Sequence, residues 1–196
     1  MPATHRGWSP ADVREMQHES GAWPRYELID GELLVTPAPG NVHQIAAQEF
    51  NLLIAPFVAR ERLGIAYFSP ADLELRAGTV TQPDLFVVPA GPGANVDLAH
   101  WSDISRLLLA VEILSPSSVR TDRVTKRDFY LESNVAEYWV VDVDARVVER
   151  WTPDRATPMV ERAGLRWHPS GAATALVIEL PALFSMIRDK ASWIQR

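Results

Sequence analysis

The 196-residue chain contains no cysteine, which excludes disulfide cross-links, thiolate metal sites and cysteine nucleophiles. It is also poor in lysine: positive charge comes from 17 arginines and only two lysines, Lys126 and Lys190. No segment approaches the ~18 consecutive apolar residues of a membrane span. Residues 1–24 are polar and lack the apolar centre of a signal peptide. A soluble, cytoplasmic protein with no membrane partner is therefore expected. Internal repeats and low-complexity tracts are absent. With 25 acidic against 19 basic residues the net charge is -6, which argues against a protein that grips phosphate over its whole surface. A small, metal-loaded nucleic-acid site is compatible with that balance.

What is present describes one globular domain over residues 1–196. The chain is 47% hydrophobic and 22% charged, and long enough to bury a core. Ser9 followed by Pro10 predicts a short helix over residues 9–18. Residues 26–36 read as a β-hairpin around Asp30-Gly31, a pair suited to positive φ. Residues 41–63 read as a helix with an apolar stripe of Ala46, Phe50, Leu53 and Phe57, kinked or divided at Pro56. Strands are expected at 65–76 and 79–88, a loop at 89–100, and a strand covered on both faces at 107–114. Ser115-Pro116-Ser117-Ser118 signals a helix running to about residue 133. A second hairpin is expected over 137–152, then a strand at 175–180 and a short helix. Interleaved helices, strands and hairpins define an α/β or α+β protein with a mixed central sheet.

Glu112 is the most informative residue. It is the one charge in the run Leu-Leu-Leu-Ala-Val-Glu-Ile-Leu. A buried carboxylate without partners is too costly to keep, so it has to be protonated, paired with a cation such as arginine, or metal-bound. Asp84 follows Pro83, which removes a ladder hydrogen bond and marks an edge or bulge that re-aims the next side chain. Asp122, Lys126 and Tyr130 are spaced four residues apart and share a helix face. Glu112 lies about 10 Å of strand before Ser115, and Lys126 about 12 Å along a returning helix. The two can therefore meet at one level; the alternative is an ordinary Asp122–Lys126 surface pair. Arg120, Arg123 and Arg127 lie on an adjoining face, either solvated or available to phosphates.

Gln82-Pro83-Asp84-Leu85, then Val111-Glu112-Ile113-Leu114-Ser115-Pro116-Ser117, then Asp122, Lys126 and Tyr130, then Glu137-Tyr138-Trp139-Val140-Val141-Asp142 occur in this order. This series resembles the Uma-two family of restriction-endonuclease-like proteins, within the PD-(D/E)xK nuclease superfamily. The hairpin at 26–32 and His43 match as well, so the resemblance covers roughly residues 26–152. It implies a restriction-endonuclease-like core at 25–152, flanked by an N-terminal extension at 1–24 and a C-terminal strand and helix at 153–196. It implies Asp84 and Glu112 as catalytic, metal-binding carboxylates, with the carbonyl of Ile113 as a further ligand. Mg²⁺ or Mn²⁺ suits such oxygen donors. Leu114 stands where the superfamily has its lysine, and Lys126 takes that role. Glu32, in competition with Glu49, and His43 are auxiliary candidates, as are Asp122 and Tyr130. DNA is the implied substrate, with Arg120, Arg123 and Arg127 as contacts, and a homodimer would allow both strands to be cut.

Asp142 and Trp139 read as hairpin and core residues, Trp139 packing under the helix that carries Lys126. The seven tryptophans are too scattered for a single-strand stacking platform. The alternative to an endonuclease is a catalytically inactive binding or assembly module of the same fold. The lack of a helix-turn-helix, zinc knuckle or basic tail favours it. A serine hydrolase at Ser115 or Ser117 is excluded, because there is no Gly-x-Ser-x-Gly elbow and no well-placed histidine follows.

Overall fold

The structure, a computed structural model, describes residues 7–21, 23–90 and 101–193. The loop expected at 89–100 lies almost wholly outside them. Helix α1 (Pro10–Ser20) begins as its sequence dictates: Ser9 and Asp12 cap one another's backbone amides, and Pro10 opens the first turn. Strands β1 (Arg25–Ile29) and β2 (Glu32–Thr36) form the expected hairpin, with Asp30 and Gly31 both at positive φ. Helix α2 (Asn41–Arg60) runs through Pro56 without being divided. The carbonyl that Pro56 leaves without a donor belongs to Leu52, an exposed residue. Ile54 rather than Leu53 completes the buried stripe with Ala46, Phe50 and Phe57.

Among the described residues the central sheet has six strands in the order β3-β4-β5-β6-β7-β8. These are β3 (Gly64–Phe68), β4 (Leu85–Pro89), β5 (Leu109–Ile113), β6 (Tyr138–Asp142), β7 (Val147–Trp151) and β8 (Met159–Glu161). Only β5 and β6 pair in parallel, so the sheet is mixed, as the sequence indicated. β3 and β4 are shorter than expected. Pro70 follows the end of the first, and Pro83 delays the start of the second. Residues 69–84 instead make bridges, Leu73 to Thr81 and Val80 to Leu28, the latter tying the β1–β2 hairpin to this segment. A two-stranded sheet of β9 (Gly164–Trp167) and β10 (Leu176–Glu179) leads into α4 (Leu180–Trp193). β8 and β9 were not legible in the sequence.

Strand parity separates two apolar layers. On one face Leu85, Val87, Val111, Ile113, Trp139 and Val141 pack with α2 and α4. On the other, Phe86, Val88, Ala110, Tyr138 and Val140 meet Phe129 and Tyr130. Those two belong to α3 (Arg127–Glu132), which continues without a break from a π-helical stretch, Thr121–Lys126. Trp139 therefore does not lie under the helix carrying Lys126. It faces the opposite layer, edge-on to Trp167 at 5.8 Å, and Tyr138 takes the place expected of it.

At the sheet's edge Gly64 has φ +149°, and a Cβ there would lie 1.9 Å from the Val88 carbonyl oxygen. Gly64→Ala must shift the backbone of β3 against β4. It is expected to destabilise the fold by about 2 kcal/mol or more, read as a lower urea midpoint, whereas Gly31→Ala has open space and costs less.

Candidate active site

Extending the antiparallel β4–β5 register by one residue beyond Leu85–Val111 sets Asp84 opposite Glu112. Directly opposed residues share a face and lie close together. This face carries Phe86, Ala110 and Val140, so two carboxylates enter an otherwise apolar layer. Both line a cleft of about 360 Å³, together with Arg25, Glu27, His43, Asp122 and Lys126.

Asp84 is held from three sides. Its Oδ2 accepts from the Ile113 amide at 2.9 Å and contacts His43 Nε2 at 2.9 Å, while Oδ1 meets Arg25 NH1 at 3.3 Å. Burial raises its pKa, but the hydrogen bond and charge of His43, the Ile113 amide and Lys126 outweigh this and hold Asp84 below the usual value.

Glu112, 3% exposed, has a different environment. Its Oε1 accepts from Lys126 Nζ and from the Tyr130 hydroxyl, each at 3.0 Å. Burial pushes its pKa well above the carboxylate range, and repulsion from Asp84, Asp122 and Glu27 adds to this against the pull of Lys126. The Tyr130 and Thr81 hydroxyls, 2.9 Å apart, link Glu112 to Glu27, to which Thr81 donates at 3.1 Å. Burial and the neighbouring Glu112 and Glu27 keep the Tyr130 hydroxyl protonated.

Lys126 is 5% exposed and lies among three carboxylates: Glu27 at 2.8 Å, Glu112 at 3.0 Å and Asp122 at 3.9 Å. Burial would lower its pKa, but Glu112, Glu27 and Asp122 reverse this and hold the ammonium charged. The sequence-level depth argument thus corresponds to a direct contact. The π-helical stretch, where hydrogen bonds skip to the fifth residue, keeps Asp122 and Lys126 together on its buried face. Leu114 packs into the apolar layer, so a lysine at that position is absent by packing as well as by sequence.

Other candidates go elsewhere. Glu32 is exposed at the start of β2 and does not line the cleft. Glu49 pairs with Lys190 between α2 and α4. Arg123 is bound to Asp142 at 3.0 Å and Glu149 at 2.8 Å. Arg127 pairs with Asp128 and lies over the Trp151 ring. Arg120 is exposed. His43 does reach the cleft. Glu27 and Arg25, both in β1, were missed. Glu27 is 1% exposed and also accepts from the Gln82 amide at 2.8 Å. Its sequence signal was a charge inside a strand next to Leu28 and Ile29, which a surface strand shows equally. Among the described residues, no group of three or more His, Asp or Glu side chains is arranged to hold a metal ion.

A mixed sheet flanked by helices, with paired carboxylates at its centre, has the restriction-endonuclease-like fold. One solved structure, described as "a putative nuclease belonging to DUF820" from Anabaena variabilis ATCC 29413, superposes with a TM-score of 0.69. It is 22% identical, and the match covers 84% of this chain and 92% of that one. The Uma2 family, described as "Putative restriction endonuclease", matches residues 10–176, and the chain belongs to it. No curated protein matches. Among the described residues no helix is long and apolar enough to cross a membrane.

Two predictions follow from the buried charges. Burial, over the opposing pull of Lys126, raises Asp122 from 3.8 to about 6. A group that binds its proton more tightly in the folded state loses stability as pH rises between those values. In metal-free buffer, the wild type is expected to lose denaturant stability between pH 4 and 6, and Asp122→Asn to lose less over that window. Lys126→Ala leaves Glu27 and Glu112 without a cation. It should cost about 3–5 kcal/mol at pH 8, and Glu27→Gln should recover part of that loss in the double variant.

Proposed function

We propose that this cleft is the active site of a divalent-metal-dependent endonuclease that hydrolyses DNA phosphodiester bonds, and that Lys126 serves as its lysine. The observation that carries this reading is the contact of Lys126 Nζ with Glu112 Oε1 at 3.0 Å in the cleft that Asp84 also lines. The donor set suits a hard cation. Four carboxyl groups, those of Glu27, Asp84, Glu112 and Asp122, line the cleft with the permanent charges of Lys126 and Arg25. Among the described residues, nothing donates to Oε2 of Glu112. Mg²⁺ uses one or two carboxylates and fills its remaining positions with water and substrate oxygens, so a larger cage is unnecessary. Asp84, Glu112 and the Ile113 carbonyl would hold it, and Mn²⁺ has the same preference. When bound, the metal makes water more acidic and offsets charge developing on the phosphate.

The remaining roles belong to the chain. Lys126 keeps its proton on Nζ and presents a compact positive charge to the phosphate or the attacking water. Arginine, planar and larger, is a poor replacement there. Tyr130 fixes the orientation of Glu112. His43 and the Ile113 amide fix Asp84. Arg25 lies where a phosphate oxygen could replace Asp84 as its partner.

The second reading, a non-catalytic binding module, is favoured by one observation. Both oxygens of Asp84 are already engaged by Arg25, His43 and Ile113. Cleavage of plasmid and oligonucleotide DNA with Mg²⁺ or Mn²⁺ separates the two. Glu112→Ala and Asp84→Ala are expected to lose at least about 10³-fold in rate, and Lys126→Arg about 10²-fold. Equal cleavage by wild type and Glu112→Ala would mean contamination and would overturn the endonuclease reading.

A further inference from the structure

The groups assigned to the chemistry lie deep. Glu112 is 3% exposed, Lys126 5% and Asp84 7%. The cleft that gives access to them, about 360 Å³ in volume, has the size of a small-ligand site rather than of a groove that seats a duplex. A phosphodiester that meets Glu112 has to enter past residues 33–40 and 115–118, which line the cleft. In a duplex each backbone carries its paired strand with it. A single strand carries nothing and can bend inward.

The fold also brings together tryptophans that are scattered along the sequence. A second cavity, of about 340 Å³, adjoins the cleft, and Trp23 and Trp101, both half-buried, line it. Trp23 and Arg25 line both cavities. The Arg25 guanidinium lies 4.5 Å from the centre of the Trp23 ring and also reaches Asp84, so one side chain joins the aromatic pocket to the proposed phosphate site. Trp101 is braced edge-on by Tyr67 at 5.1 Å and Phe86 at 6.0 Å. Pro24 and Pro70 add apolar lining. Aromatic side chains beside a cation suit strands whose base faces are open, because every base has a face to stack. In a duplex those faces are hidden.

The charges agree. Binding to duplex draws on several free cations that meet phosphates. Among the described residues, the basic side chains lining the two cavities are Arg25, His43 and Lys126, and Lys126 is already held by three carboxylates. On the neighbouring helix Arg123 and Arg127 are engaged by acids. With a net charge of -6, backbone attraction is weak and stacking has to supply more of the affinity.

We infer that DNA enters this cleft as a single strand whose bases stack, without regard to sequence, in the Trp23–Trp101 pocket, and that intact duplex is a poor substrate. This rests on the endonuclease reading of the cleft.

The test compares one labelled oligonucleotide, single-stranded and as a blunt duplex, by fluorescence anisotropy with Ca²⁺, another oxygen-seeking cation, in place of Mg²⁺. The single strand is expected to bind at least roughly tenfold more tightly. Trp23→Ala and Trp101→Ala should each weaken the strand by roughly tenfold and leave the duplex unchanged. Trp23→Phe, which keeps a ring, should retain most of the binding, and Trp193→Ala, exposed on α4, should change neither form. With Mg²⁺ or Mn²⁺, circular single-stranded DNA should be cut at least roughly tenfold faster than relaxed circular duplex. Duplex bound or cut as well as single strand, with cleavage dependent on Glu112, would overturn this inference and leave the endonuclease reading. So would a single-strand preference untouched by both tryptophan variants. Single-strand binding that needs Trp23, without Glu112-dependent cleavage, would overturn the endonuclease reading and leave the strand-binding surface. Neither binding nor cleavage of either form would overturn both.

Discussion

One buried ammonium organises this molecule. Lys126 is the point where three separate parts of the chain meet: Glu27 from the β1–β2 hairpin, Glu112 from the centre of the sheet, and Asp122 from its own helix. None of these carboxylates is tolerable alone at such depth, and the ammonium is no more tolerable without them. The group is stable only as a set, so forming it fixes the hairpin and the helix against the same face of the sheet. Such a cluster is a weak contributor to net stability and a strong determinant of geometry. It permits one arrangement of three elements and penalises the others heavily.

The rest of the fold supplies what that set needs. Parity along β4, β5 and β6 gives one face entirely to hydrocarbon, against α2 and α4, and leaves the other able to accept polar groups. Tyr130 and Tyr138 bring hydroxyls into this second layer without exposing it. Tyr130 reaches Glu112, and Tyr138 donates to the Asp122 carbonyl at 3.0 Å. The π-helical stretch falls on the residues that carry Asp122 and Lys126, where an irregular turn is most useful and regular helix is least required. The other lysine follows the same logic at lower depth. Lys190 of α4 neutralises Glu49 on α2, joining the two helices of the apolar layer.

The site was legible in the sequence only where a residue broke a local pattern. Glu112 interrupts an apolar run, Asp84 follows a proline in a strand, and Lys126 is a rare lysine in an arginine-rich chain. Glu27 and Arg25 break no pattern, because charges in a hairpin strand are ordinary; contacts remote in sequence, the Val80–Leu28 bridge among them, carry them inward. Glu32 is the mirror case, a plausible acid on the same hairpin that the turn leaves in solvent. The placing of Trp139 went wrong by one residue of parity. The parallel pairing of Glu112 with Val140 assigns even-numbered residues of β6 to the site face and odd-numbered ones to the opposite layer. Arg123 looked free because its partners, Asp142 and Glu149, lie on later strands.

The sequence by itself determined the elements with strong local signals: the Ser9 cap, the Asp30-Gly31 turn, the long helix, the buried strand carrying Glu112, and the family. It also placed Lys126 at the right depth, because strand and helix rises are fixed by backbone geometry. The tertiary structure alone decided which charges pair, which face each strand turns to the site, and that Trp23 and Trp101 line one pocket. These depend on contacts between residues far apart in the chain. Their energies come from desolvation and Coulomb terms that exist only once the layers have closed.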